Sequence, residues 1–231
     1  MRNKLVITVD GPAGSGKSTV SRMLAERLSY LYLDTGALYR ALAYFIVRRG
    51  VKEDDAEALA AVCERAAVCV RVVEGRPRYF AGGEDVSDEI RTEAVGLDAS
   101  RISAAPVVRK ALLPVQREAG RHGGIVAEGR DMGTVVFPDA DVKFYLDASE
   151  KERAQRRCKE LLSKGAPVDF ERVMNDLSGR DRRDRERAES PLKIPQGAVV
   201  IDTTGLNIDQ VLQRMREEVH RRLQEVPPML V

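Results

Sequence analysis

Residues 11 to 19 read Gly11, Pro12, Ala13, Gly14, Ser15, Gly16, Lys17, Ser18 and Thr19. The first eight fit Gly-x-x-x-x-Gly-Lys-Ser/Thr, and what flanks them narrows the possible folds sharply. Ahead of the loop, Leu5–Val9 is an apolar, β-branched run of the kind that forms a buried strand. Behind it, Val20, Met23, Leu24, Arg27 and Leu28 recur at helical spacing. Strand, glycine loop and helix in that order make a P-loop. Its glycines let backbone N–H groups converge on phosphate oxygens, and the helix N-terminus adds positive potential. Lys17 then reaches the β- and γ-phosphates, and Ser18 can ligate Mg²⁺. Gly11–Thr19 is therefore the expected triphosphate site, with Lys17 catalytic and Ser18 the metal ligand.

The rest of the chain alternates strand and helix signals, which calls for a parallel sheet covered on both faces. Tyr30–Leu33 reads as a second strand, and a helix follows from about Ala37 to Arg49, stopped by Gly50. From about Val51 to Val95 the rhythm breaks. Ala56–Ala66 is helical, and Val68–Val73 and Arg78–Phe80 flank Glu74-Gly75 as an antiparallel hairpin. Ser103–Ala119 predicts a helix, Gly124–Ala127 and Val142–Leu146 predict strands, and two charged helices cover about 151–162 and 170–186. Between them Gly165 and Pro167 mark a loop that could hinge. Ala198–Ile201 is a fifth parallel strand, a closing helix runs from Asn207 to Leu223, and Pro227–Val231 is expected to fray. The expected organisation is α/β. A core of about 1–50, 96–150 and 191–231 holds a five-stranded parallel sheet; an α+β insertion spans about 51–95, and a helical lid with its flanking helices about 151–190.

Composition excludes several classes. The 38 Lys and Arg nearly balance 36 Asp and Glu, whereas a nucleic-acid binder usually shows a basic excess. Cys63, Cys69 and Cys158 lack the spacing of a zinc site or a disulfide framework, and suit a reduced, cytoplasmic protein. No apolar run approaches the ~20 residues of a membrane span. The Leu5–Val9 run is too short for the core of a signal peptide.

Open α/β sheets bind ligands at the carboxyl ends of their strands, and three such ends carry charge. At the second, Asp34 is followed by Thr35, Gly36 and, one turn on, Arg40. Thr35 can cap the helix or serve a ligand; Arg40 opposes the helix dipole where it stands, as an anion grip would. At the third, Glu128 is followed by Gly129, and Arg130 and Asp131 stand between Gly129 and Gly133. This is either a solvated turn or a site in which Arg130 forks a phosphate, Asp131 accepts from an exocyclic amine, and Glu128 orients hydrated Mg²⁺. Last comes the run Gly179–Arg187. In a helix Arg180, Asp184 and Arg187 share one face, as a solvated, ion-paired surface or as an anion grip. Arg153, Arg156 and Arg157 share a face of the preceding helix. An arginine-rich lid suits phosphoryl transfer, where charge spreads over the moving group and water must be excluded.

With these segments in hand, the chain resembles the bacterial cytidylate kinases over nearly its whole length. The matching blocks are Gly11–Thr19, Asp34–Arg40, Gly83–Thr92, Gly129–Pro138, Phe144–Ala148 and Arg180–Arg187. The resemblance implies a nucleoside monophosphate kinase fold, in which the irregular 51–95 region is the monophosphate-binding insertion. It implies that Arg40, Arg130 and Arg187 hold the CMP phosphate, that Ser100, Arg109 and Asp131 read cytosine, and that Arg180 and Asp184 contact the ribose, with Thr35 in the same site. Thr35 stands where serine is common, and Glu128 where aspartate is also seen. The implied reaction is ATP + CMP (or dCMP) giving ADP + CDP, with Mg²⁺ accompanying ATP and Lys17, Arg153 and Arg157 stabilising charge. It needs no His or Cys base, and His122 and His220 lie outside every motif. A monomer is expected. The competing readings are a P-loop kinase for UMP, AMP or a small metabolite such as shikimate, a guanine-nucleotide switch, and a nucleotide-dependent nucleic-acid binder. An Asn-Lys-x-Asp motif, which a guanine switch would carry, does not occur.

Overall fold

The structure is a computed structural model, and it describes residues 4–163 and 165–225. The Pro227–Val231 segment lies outside them. In chain order the elements are β1 (Val6–Asp10), α1 (Lys17–Leu28), β2 (Leu31–Asp34), α2 (Thr35–Val47) and α3 (Ala56–Ala66). Next come β3 (Cys69–Val73), β4 (Arg76–Ala81), β5 (Glu84–Asp85), α4 (Glu93–Ile102) and α5 (Pro106–Ala119). The chain continues with β6 (Ile125–Glu128), β7 (Val142–Asp147), α6 (Glu150–Ser163), α7 (Phe170–Glu186), β8 (Val199–Asp202) and α8 (Ile208–Glu225). It divides into two compact units, one of residues 1–32, 122–186 and 192–231 and the other of 33–121 and 187–191.

The predicted five-stranded parallel sheet is present, in the order β2-β6-β1-β7-β8. Every residue of β1 is buried, as a central parallel strand covered on both faces must be. Against it Val6 registers with Ile125 and Ile7 with Val142. One face of the sheet packs Ile7, Val9, Phe144 and Leu146 against Val20 and Leu24 of α1 and Leu212, Met215 and Val219 of α8. The helical periodicity of those segments is thus the imprint of one shared core. In the same unit α6 and α7 close on Ala154, Cys158, Leu161 and Val173. Among the described residues no helix is long and apolar enough to cross a membrane.

In the second unit α2 packs on α4, and α3 on α5. The hairpin expected around Glu74-Gly75 joins β3 to β4. Both turn residues have positive φ, the primed turn whose twist suits a two-residue hairpin. Sequence patterning missed β5, which adds to β4 as a third antiparallel strand. The helix predicted from Ser103 starts later, at Pro106, as α5, where the ring excludes Ala105 from helical geometry and suits the first turn. Sequence patterning missed α4, which ends at Ile102 just ahead of it. The second unit takes in α2, α4 and α5 as well as the 51–95 stretch. The helix expected from Ala37 starts earlier, at Thr35. Asp34 is its cap, with Oδ1 accepting from the Ala37 N–H at 2.9 Å, so the capping role considered for Thr35 belongs to its neighbour.

Candidate active site

The glycine loop leaves β1 and enters α1 as expected. At Gly11 the backbone passes so close to β7 that a Cβ would lie 2.0 Å from the Leu146 carbonyl oxygen, so glycine is required there. Gly16 caps α1 in a left-handed conformation without a side-chain hydrogen bond. The first N–H groups of the helix are thereby left for an anion. Lys17 is buried, its Nζ donating to the Pro12 carbonyl at 2.5 Å and to Ser15 Oγ at 3.2 Å. Burial lowers its ammonium pKa well below the usual lysine range, and the charges of Arg130 and Arg180 push the same way. Glu128 and Asp181 oppose them.

Glu128 ends β6 and is buried. Its Oε2 accepts from Ser18 Oγ at 3.0 Å, and Oε1 accepts from the Tyr32 hydroxyl. Ser18 and Glu128 thus set two hard oxygen donors beside Lys17, a chemistry that fits Mg²⁺. Among the described residues no three His, Cys, Asp or Glu side chains gather as an all-protein metal cage.

Beyond Glu128 the chain does not make a solvated turn. Arg130 tucks inward, donating from Nε to Asp184 Oδ2 at 2.9 Å and from a terminal nitrogen to the Gly129 carbonyl at 3.1 Å. Burial works against its charge, but Asp184, joined by Asp181 and Glu128, outweighs this and raises the guanidinium pKa above its ordinary value. Asp131 is buried and opens a π-helical turn, Met132–Val136, without capping it. Such turns recur at functional sites. The π turn is anchored from β1: the Asp10 carboxylate accepts from the N–H groups of Met132 and Gly133, both at 2.8 Å. Burial raises the Asp10 pKa to about 7, with Asp131 adding to the rise and the two N–H groups and Lys17 opposing it.

The Gly179–Arg187 run splits by side. Asp181 and Asp184 face inward, while Arg182, Arg183 and Arg185 are exposed. Arg180 and Asp184 share the α7 face predicted for them. Arg187 does not, because the helix ends at Glu186. Arg187 belongs to the other unit, its Nε donating to the Ser190 carbonyl at 2.7 Å in a bend that Pro191 keeps from helix. On α6, Arg153 is buried and pairs with Asp181. Arg156 donates to Thr203 Oγ1 at 2.8 Å, and Thr203 Oγ1 donates to the Ser15 carbonyl at 3.2 Å. Arg157 pairs with Glu160 at 2.8 Å on its own helix.

The second unit holds Thr35, Arg40, Ser100 and Arg109. Thr35 is buried in the first turn of α2, and Arg40, one turn on, donates to Asp34 Oδ2 at 2.8 Å. Arg91 reaches the same oxygen at 3.3 Å. Arg109 is buried on α5, donating to the Ser103 carbonyl at 3.2 Å with its guanidinium 5.2 Å over the Tyr39 ring. Ser100 is buried on α4.

Sequence reasoning missed Asp10, Tyr32, Asp34, Asp181 and Thr203. For Asp10 a signal existed: an acid closing an apolar strand directly before the loop has to be buried. For Tyr32 and Thr203 there was none, since each acts through a partner distant in sequence.

A family model described as cytidylate kinase matches residues 7–221. The chain belongs to the cytidylate kinase family. The match runs from Ile7 in β1 to Arg221 in α8 and contains every site residue described above. A cytidylate kinase of Syntrophotalea carbinolica is 46% identical over 99% of this chain and 97% of its own length. One from Aeromonas salmonicida is 49% identical over 90% of each chain. An uncharacterized protein from Eubacterium ventriosum, 11% identical, superposes with a TM-score of 0.54 over 95% of this chain and 99% of its own, a likeness of fold alone.

Proposed function

We propose that the chain transfers the γ-phosphoryl group of ATP to CMP or dCMP, releasing ADP and CDP or dCDP. The observation that carries this is the second charged cluster beside the triphosphate loop. Arg130 and Arg180 lie near enough to Lys17 to depress its proton affinity, and Asp184 and Asp131 accompany them. A loop that only bound a triphosphate would have no use for that cluster.

An oxygen of the CMP phosphate attacks the γ-phosphorus, and the bond from that phosphorus to the β–γ bridging oxygen breaks. ADP leaves with the electron pair. The attacking oxygen is already anionic, so no general base is required. The chain's part is positioning and charge stabilisation. The N–H groups of the loop and α1 cradle the donor phosphates, and Lys17 bridges toward the γ-group. Arg40, Arg130 and Arg187 hold the acceptor phosphate, while Thr35, Arg180 and Asp184 seat the rest of the nucleotide. Mg²⁺ bound with ATP would neutralise β- and γ-phosphate charge, held by Ser18 directly and Glu128 directly or through water. Asp131 accepts from the C4 amine of cytosine, and Arg109 and Ser100 complete its edge. Uracil reverses donor and acceptor at those positions and leaves the pocket's groups unpaired. In this reading the protein works as a cytoplasmic monomer on small nucleotides, with no nucleic-acid partner.

ADP release measured with CMP, dCMP, UMP and AMP tests the assignment. CMP and dCMP are expected to turn over at least tenfold more efficiently than UMP, about the least that lost polar pairing gives. UMP turnover equal to CMP would remove the cytosine reading, and no turnover of any monophosphate would remove the kinase reading.

A further inference from the structure

Neither Asp181 nor Arg153 is accessible: each side chain is 2% exposed. Both are spent on the backbone of one loop residue. The Ala13 N–H donates to Asp181 Oδ1 at 3.2 Å, and the Ala13 carbonyl accepts from Arg153 at 3.0 Å. The same Arg153 nitrogen pairs with Asp181 Oδ2, and its Nε donates to the Ala148 carbonyl at 3.0 Å just beyond β7. The next residue is held against the same side chain, since a Cβ on Gly14 would lie 3.0 Å from Arg153 Cβ.

We propose that Asp181 and Arg153 are positioning residues that set the nucleotide loop, a clamp on the two backbone polar groups of Ala13. This rests on reading the loop as the cradle of ATP, and it moves Arg153 away from the transferred phosphoryl group. The chemistry of the pair supports it. A buried ion pair is a poor source of stability beside an apolar pair of similar volume, but an apolar pair cannot fix a peptide's orientation. Here a carboxylate accepts the N–H and a guanidinium donates to the C=O, so Ala13 can neither flip nor slide. The N–H groups of Gly14 to Gly16 are then held in place before a phosphate arrives, which is where preorganisation acts.

The alternative, that Arg153 meets the reacting phosphates, predicts different kinetics. Arg153→Ala, Asp181→Ala and the double variant are compared for kcat and for the KM of ATP and of CMP. A clamp gives similar losses in the two single variants, roughly 10- to 100-fold in kcat/KM for ATP. The KM for CMP stays within about threefold, and the double variant is no worse than the poorer single. If Arg153→Ala loses kcat at least tenfold more than Asp181→Ala with the ATP KM unchanged, Arg153 touches the phosphoryl group and the clamp is overturned. Should the alanine variants not fold, Asp181→Asn and Arg153→Lys serve, each keeping part of the grip. Under the proposal both raise the ATP KM, and an unchanged ATP KM in both overturns it. Wild-type turnover of CMP is measured alongside. Its failure counts against the kinase reading, whereas unaltered variants of an active enzyme count against the clamp alone.

Discussion

Arg130, just past β6, and Asp184, on α7, are joined Nε to Oδ2 at 2.9 Å, both largely shielded from water. Each is also assigned to the acceptor nucleotide, so neither can be altered alone.

Asp184→Ala therefore has two effects. It removes the contact assigned to the ribose, so the ratio of CMP to dCMP turnover should move toward one. It also leaves Arg130, largely shielded and close to Lys17, without the carboxylate it bonds, and stability should fall by about 2–4 kcal/mol. Denaturant melts and paired CMP and dCMP kinetics measure both. An unchanged ratio removes the ribose contact.

Lys17→Met keeps the volume of the side chain and removes its charge. Turnover should fall on the order of 10²–10³-fold with every acceptor. Because the ammonium is buried next to two arginines, the variant should melt no lower than the wild type. A lower melting temperature would mean that Lys17 braces the loop through Pro12 and Ser15.

Asp131→Ala should raise the KM for CMP at least tenfold and leave the KM for ATP nearly unchanged, as expected on losing one charged hydrogen bond to a substrate. Equal losses for the two nucleotides would refute its part in base recognition.

Asp10 gives stability a pH dependence. Its carboxyl has a pKa of about 7 in the fold against an ordinary 3.8, so the folded state binds its proton more tightly than the unfolded chain does. The stability this group contributes is full below about pH 4 and is lost as pH rises through 7. Asp10→Asn lacks the proton, so its melting temperature should fall less than that of the wild type between pH 5 and 8. Parallel profiles would show that Asp10 is ionised throughout.

The five strands of the parallel sheet, most helices and the loop were legible because each is written locally: β-branched runs, apolar residues at helical spacing, glycines before Lys17. What escaped was decided by partners far along the chain. In the Gly179–Arg187 run the alternation of charges cannot tell which acids turn inward. Asp181 and Asp184 do so because Arg153 and Arg130 wait for them, 28 and 54 residues earlier. Arg187 was misplaced for the opposite reason. Helical arithmetic was carried one residue past the end of α7, which the chain's exit toward Pro191 sets. The start of α5 at Pro106 rather than Ser103 was readable, as the proline stood in plain sight.

The position of β1 has a consequence for how the molecule is made. Both strands that flank it come later in the chain than the whole 33–121 segment. The Ala13 carbonyl lies 140 residues from its donor on α6, and the Ala13 N–H 168 residues from its acceptor on α7. During synthesis the phosphate loop emerges well before the helices that lock it, and contacts so distant in sequence form slowly. A nascent chain released before α7 would carry the complete nucleotide motif without the carboxylate that holds the Ala13 N–H.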